Sequence, residues 1–304
     1  MKNFRKKLIL FLKGAAMGSA DIVPGVSGGT IAFITGIYEE LITSIKSVDV
    51  KFVKDVFSFK IKKALARINI QFLLPLFFGI IVALVSLAHV VSFMLEYYAV
   101  YTWSFFFGLI LASILFIGKK IKNRIGLGGA GFIFGIIFGY VLVGLIPVET
   151  PNASWFIFAS GMVAISAMIL PGISGSFILL LLSKYEYMIN ALKNPFVDSN
   201  IVIIAFFMSG CVVGIMTFSR VLSYMFKKYY NLTIALMTGL ITGSLRKIWP
   251  WKEVIEIRMI HDKLRVIDEA NILPSLNNEL LIAIILIIAG FTLVTALSRY
   301  SKNS

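Results

Sequence analysis

The sequence predicts an all-α polytopic membrane protein made of two inverted repeats, each a re-entrant broken-helix hairpin followed by three transmembrane helices. Three observations predict it. Long windows carry no Asp, Glu, Lys or Arg; the pattern Pro-Gly-x-Ser-Gly occurs twice in matching surroundings; and the basic residues are distributed unevenly between the segments that join the windows.

The windows come first. Of the 304 residues, 59% are hydrophobic and 14% charged, where a soluble domain carries about a quarter charged. Uncharged stretches run over 72–95, 97–118, 125–148, 199–219, 229–245 and 280–298. Each suits one crossing, which needs roughly 20 apolar residues. The expected spans are 72–95, 97–118, 126–147, 200–226, 229–248 and 280–298. A seventh window, 150–183, is too long for one span and too short for two, and Pro171-Gly172 interrupts it.

The repeat comes next. Pro24-Gly25-Val26-Ser27-Gly28-Gly29 matches Pro171-Gly172-Ile173-Ser174-Gly175-Ser176, with Gly14 against Gly161 and Tyr38-Glu39 against Tyr185-Glu186 in the same register. A second block aligns Gly79, Tyr98, Gly108 and Ser113 with Gly210, Tyr229, Gly239 and Ser244, and sets His89 opposite Arg220. The first repeat therefore covers 1–148 with a hairpin at 8–45, and the second covers 149–304 with a hairpin at 153–193. An arm from Gly14 to Pro24 rises about 16 Å and one from Gly28 to Glu39 about 18 Å. Either reaches about the middle of a hydrocarbon core roughly 30 Å thick. A hairpin that turns back plus three spans is an odd number of crossings, so the second repeat must be inverted.

The Lys/Arg bias sets the orientation. With the amino terminus cytoplasmic, the inner segments hold nineteen Lys and Arg, and the outer ones eight, six of them between Arg246 and Arg265. The first hairpin then enters from the cytoplasm and the second from outside, in a multi-pass protein of the bacterial plasma membrane. The stretch 46–67 mixes Lys with Val, Phe and Ile and reads as an interfacial amphipathic helix. The extracytoplasmic loop 249–279 opens on Trp249-Pro250-Trp251, an interfacial anchor, and its fold is left open.

Several function classes drop out. The net charge of +14 sits at the ends of apolar windows, where anionic lipid and topology account for it, so no nucleic-acid partner is expected. Cys211 is alone and intramembrane, so neither a disulfide nor a metal site is expected. No small-residue cleavage site closes the stretch after Lys7, so no cleavable signal peptide is expected. No Walker-type motif occurs, and no cofactor is expected.

The broken motifs carry the chemistry. Hydrocarbon tolerates irregular backbone only where protein or a water-filled cavity satisfies it. Pro24 and Pro171 end the first arms, Gly25 and Gly172 allow the reversal, and Ser27 and Ser174 can cap the second arms. Helix amino termini at the membrane centre favour an anion, an arrangement inverted-repeat transporters use. The phosphate-binding candidates are Ser27, Gly28, Gly29 and Thr30 in the first motif, Ser174, Gly175 and Ser176 in the second, and Arg220, whose planar guanidinium suits a phosphate or carboxylate. Arg220 reads equally as a structural partner of Asp21. Asp21, Glu39, Glu186 and His89 are candidates for gating or proton coupling. The plainer readings are interfacial caps for Glu39 and Glu186, a core histidine for His89, and belt residues for Tyr38 and Tyr185.

The run Gly14-Ala-Ala-Met-Gly18-Ser-Ala-Asp21-Ile-Val-Pro24-Gly25-Val-Ser27-Gly28-Gly29-Thr30, followed by Gly36-Ile37-Tyr38-Glu39, resembles the opening signature of a bacterial family assigned as polyprenyl-phosphate transporters. Leu170 to Ser176 with Tyr185-Glu186 resembles its later signature, and the resemblance covers nearly the whole chain. It implies a flippase that returns undecaprenyl phosphate, the lipid carrier of cell-envelope synthesis, to the inner leaflet, with H+ or Na+ as a possible coupling ion. Two other readings stand beside it. A carrier for a small soluble anion needs a similar pocket. The integral-membrane undecaprenyl-diphosphate phosphatases share inverted halves and a Pro-Gly-x-Ser motif, but in them an arginine follows the serine, where this chain has Gly28 and Gly175, and a glutamate cluster is missing here.

Overall fold

A computed structural model describes all residues except 1, 24–25, 123–125, 198, 261–262 and 303–304. It is mostly helical. The chain begins with α1 (Lys2–Ile22), a short α2 (Gly28–Ile34) and α3 (Tyr38–Lys46). Two small helices come next, α4 (Val50–Phe57) and α5 (Ile61–Arg67), then α6 (Ile70–Tyr97), α7 (Ala99–Gly118) and α8 (Leu127–Val143). The sequence of shapes then recurs as α9 (Ser154–Ile169), α10 (Gly175–Leu181), α11 (Tyr185–Lys193), α12 (Asn200–Lys228) and α13 (Tyr230–Ile248). After β1 (Lys252–Ile260) and β2 (Lys263–Asn271) the chain ends in α14 (Asn278–Lys302).

Among the described residues four helices are long and apolar enough to cross a membrane: α6, α7, α12 and residues Asn278–Ser298 of α14. The other two expected spans form α8, of 17 residues, and α13, of 19, which pack along each other.

The packing is set by glycines that bring helix backbones together. Gly14 and Gly18 of α1 lie against the carbonyls of Leu76 and Ile80 on α6, so the two helices run parallel. Gly161 of α9 lies against Phe207 of α12 in the matching register, and Gly79 against Phe11 is answered by Gly210 against Phe158. A third correspondence appears that the sequence comparison misses. Gly108 of α7 meets Ile287 of α14, while Gly239 of α13 meets Phe132 of α8. The turns correspond too. Tyr98 joins α6 to α7 and Tyr229 joins α12 to α13 with nearly the same dihedral angles, and the hydroxyls of Thr102 and Thr233 donate back to their carbonyls.

Parallel packing fixes a height. Gly18 lies beside Ile80 and α1 stops four residues later, which leaves its end level with about the middle of α6. Gly214, at the centre of α12, is flanked by Met162 and Ile165, just before α9 stops at Ile169. Beyond the end of α1, α6 has no such neighbour among the described residues, and His89 is exposed there with Val85, Val90 and Phe93. His89 is therefore not a core histidine.

Two further expectations are corrected. The second arms do not run unbroken to Glu39 and Glu186. They stop at Ile34 and Leu181, because Gly36 (φ 73°) and Ser183 (φ 52°) adopt left-handed backbone before α3 and α11. A left-handed non-glycine residue costs about 1–2 kcal/mol. Ser183→Gly is therefore expected to raise stability by about 1 kcal/mol, read as a higher melting temperature in detergent. The stretch 46–67 is two helices, not one, broken where Phe59 takes φ 56°. The loop 249–279 adds an antiparallel two-stranded sheet to the helical chain; register shifts beside Glu256 interrupt its alternation. The Trp249 indole N–H donates to the Ile272 carbonyl and ties the sheet to the end of α13.

The α4–α5 pair is held by Arg67, whose Nε donates to Asp55 Oδ2 at 2.7 Å. That bond holds the Asp55 carboxyl below its usual range. A depressed folded-state value stabilises above the ordinary value of 3.8 and is lost as pH falls through the lower one. Hydrogen exchange across Val50–Arg67 is therefore expected to rise on acidification below about pH 4, and Arg67→Ala to remove that dependence.

Candidate functional site

The two breaks touch. In the first half the chain turns at Val23 and enters α2 through Ser27, whose extended backbone and side chain form the amino-terminal cap: Ser27 Oγ accepts from the Gly29 N–H at 3.1 Å. The Gly28 N–H donates to Asp21 Oδ1 at 2.7 Å. At the other end of α2, Lys13 Nζ donates to the Thr35 carbonyl at 2.7 Å. A carboxylate at the start and an ammonium at the end complement the dipole of a helix. Both lie on α1, so α2 runs back along α1 between them. Pro24 and Gly25 themselves lie outside the described residues.

In the second half α9 ends at Ile169 and Gly172 makes the reversal with φ 87°. A Cβ there would stand 2.9 Å from the Ile241 Cα, so the position has no room for a side chain. Pro171, Gly172, Ser174 and Gly175 are all buried and Ser176 is half-buried. Ser174 does not cap α10; its Oγ pairs with Ser176 Oγ at 2.7 Å.

Three hydrogen bonds join the breaks. The Gly172 N–H donates to Thr30 Oγ1 at 3.0 Å, the Tyr38 hydroxyl to the Ile169 carbonyl at 2.8 Å, and Ser27 Oγ to the Leu170 carbonyl at 3.5 Å. The amino terminus of α2 thus faces the closing carbonyls of α9. Ser27, Gly28, Gly29 and Thr30 are buried together, and the first-turn donors of Gly28 and Gly29 are taken by Asp21 and Ser27. The arrangement is a closed polar contact at mid-height of the long helices, built from hydroxyls and backbone amides.

A family described as undecaprenyl phosphate translocase-like matches residues 17–265, a range that includes both breaks. The chain belongs to this family. A polyprenyl-phosphate transporter of Vibrio cholerae serotype O1 is 39% identical over 97% of this chain and 97% of its own length. One of Staphylococcus aureus, also named a polyprenyl-phosphate transporter, is 32% identical over 80% of this chain and 87% of its own. No solved structure matches.

The remaining candidates of this translocase-like chain lie apart from the contact. Arg220 is half-buried on α12 and donates to the Met216 carbonyl of its own helix. It makes no ion pair with Asp21 among the described residues; Asp21 accepts from the Gly28 N–H. Glu39 is exposed and lines an open depression of about 470 Å³ with Glu40, Thr43, Ser47, Arg67 and Asn69, on the side where α1 and α6 begin. Glu186 is half-buried in the first turn of α11.

Sequence reasoning misses four residues. Tyr38 is no belt residue; it is 2% exposed and joins the breaks, wedged against Phe33 and Phe226. Its spacing from the first motif, which Tyr185 repeats after the second, is the available signal. Lys13 hides inside an apolar stretch. Lys184 reads as a loop cation, but it is buried, donating to the Thr150 carbonyl at 2.7 Å and Asn152 Oδ1 at 2.6 Å. Ser219, beside Arg220, buries its hydroxyl without a partner among the described residues, and a lone serine in an apolar span gives no sequence signal.

Proposed function

We propose that this chain carries undecaprenyl phosphate between the leaflets of the bacterial plasma membrane, returning the lipid carrier to the inner leaflet for envelope synthesis. One observation carries the reading: the two breaks meet through Thr30, Ser27 and Gly172 at the mid-height of α6 and α12. Membership of a family described by this substrate, and relatives named polyprenyl-phosphate transporters, support it.

On this reading the halves are inverted repeats. The glycine contacts that recur between α1–α6 and α9–α12, and between α7–α14 and α8–α13, support that pairing. Each first helix ends near the centre of its long neighbour, which supports two re-entrant hairpins entering from opposite faces, the first from the cytoplasm. The contact seen here is then the closed state. A phosphate oxygen entering it replaces the Asp21 carboxylate on the Gly28 N–H, and the hydroxyls of Ser27, Thr30, Ser174 and Ser176 turn from each other to the ligand. Arg220 offsets the remaining charge, while the isoprenoid tail stays in lipid. An uncompensated charge at the bilayer centre costs at least about 2.5–3.5 kcal/mol, so the donors must be in place before the head descends. Asp21, Glu39 and Glu186 are the groups through which H+ or Na+ would couple. No covalent step is required of any side chain, and the chain acts as a transporter.

Reconstitution with labelled polyprenyl phosphate, with and without a pH or sodium gradient, tests the proposal. Movement between leaflets that depends on the protein is the expected result. Uptake of soluble phosphate without lipid movement would favour a small-anion carrier instead, and release of phosphate from the diphosphate lipid would favour the phosphatase reading.

A further inference from the structure

The eight basic residues on the proposed outer face run against the inside bias, and three of them gather around one depression. Arg246 and Lys247 close α13, Lys252 opens β1, and with Glu269 and Asn271 they line a small recess of about 40 Å³ against residues 143–146 at the end of α8. Lys247 Nζ and Lys252 Nζ share one carboxylate, Glu269 Oε2, at 3.5 and 3.3 Å. Arg246 has no carboxylate partner among the described residues; its guanidinium lies 4.5 Å from the Tyr140 ring centre. Three cations against one carboxylate leave the recess with two positive charges.

Aromatic rings mark its level. Lys252 Nζ sits 4.5 Å from the Trp103 ring centre, and Trp249 and Trp251 pack edge to face at the end of α13. Tryptophan and tyrosine gather at the head-group level of a bilayer. Lys247 stands one turn beyond Ser244 on the same face of α13, and Ser244 lies beside Gly172 of the second break.

We infer that this recess is an outer-face receptor for a phosphomonoester head group, the first station before the breaks; its placement on the outer face rests on the topology proposed above. A phosphomonoester carries about −1.5 to −2 at neutral pH, which matches the two uncompensated charges. A phosphodiester carries about one negative charge and leaves one cation unanswered. Arg246 supplies the planar fork and the two lysines supply point charges.

Trp103, Trp249 and Trp251 report on the recess, and Trp155→Phe removes the fourth tryptophan as background. Protein in phosphatidylcholine nanodiscs is titrated with farnesyl phosphate, farnesol, phosphatidylglycerol and inorganic phosphate. A saturable emission change with farnesyl phosphate and none with farnesol is expected, with binding at least tenfold weaker in Arg246→Gln/Lys247→Gln. That variant keeps the Lys252–Glu269 pair within the sheet and the Trp249–Ile272 bond that ties the sheet to α13. Glu269→Gln is expected to bind at least as tightly as the parent. Inorganic phosphate saturating as readily supports the same chemistry from a soluble source, and preference for farnesyl phosphate assigns it to lipid. Equal responses to farnesol or phosphatidylglycerol, or unchanged affinity in the double variant, overturn the inference. If the unsubstituted protein flips lipid while these titrations fail, only the receptor is lost; if it flips nothing, the proposed function is lost.

Discussion

Ser27→Ala, Ser174→Ala and Arg220→Ala in combination are expected to slow lipid flipping in proteoliposomes by about a hundredfold or more. A hydrogen bond to a charged group contributes about 1.5–3 kcal/mol net, and about 1.4 kcal/mol is a factor of ten. Losing two such bonds accounts for the figure even when the three do not add fully. The fold should survive. Arg220 bonds only to the Met216 carbonyl of its own helix, and Ser174 only to Ser176, among the contacts described. Ser27 also caps α2, a loss of about 1 kcal/mol. Ser27→Thr keeps both the cap and the hydroxyl and should restore most of that residue's share. Undiminished flipping in a triple variant with a normal melting temperature would remove the breaks from the transport path.

Gly172→Val is expected to destabilise the protein by about 3 kcal/mol or more, seen as a melting temperature several degrees lower or as failure to accumulate in the membrane. Left-handed backbone costs a β-branched residue at least about 1–2 kcal/mol, and forcing atoms into a filled space adds about 1–3. The space is filled by the backbone of Ile241, which cannot swing aside, and by the Ser244 hydroxyl, which is bonded to the Ile241 carbonyl. Thr30→Val separates the two effects. It leaves Gly172 unstrained but deprives its N–H of the acceptor at 3.0 Å, a loss of about 1–3 kcal/mol. A Gly172→Val protein that melts with the parent would mean that the second break is not packed as described.

Both breaks can be read directly from the sequence, because proline, glycine and serine at fixed spacing leave the backbone few alternatives. So can the four long apolar helices. The correspondence of α8 with α14 cannot. Gly135 and Gly290 are the matched pair of glycines there, against the carbonyls of Leu236 and Phe105, and the residues around them are interchangeable apolar ones. The second arms are shorter than the sequence suggests because one of the two turns is made by Ser183, whose type does not announce a positive φ. The β hairpin is hidden by its irregularity beside Glu256, which shifts the alternation out of phase. At the site, the serines and glycines of the motifs are identifiable as a group. Their actual partners are not, since Asp21 on Gly28 and Tyr38 on Ile169 depend on how one hairpin leans on another.

Lys13 and Asp21 have no counterparts in the second half, where the register of Gly14 and Gly161 places Ser160 and Met168. Ser160 turns its hydroxyl back to Phe156 in its own helix. The first hairpin is thus clasped at top and bottom by opposite charges, while the second has neither clasp. The end of α10 is held instead by neutral groups, the Thr150 hydroxyl on the Leu182 carbonyl and the Val148 N–H on that of Leu181, so the two hairpins differ in how far a change of charge can loosen them.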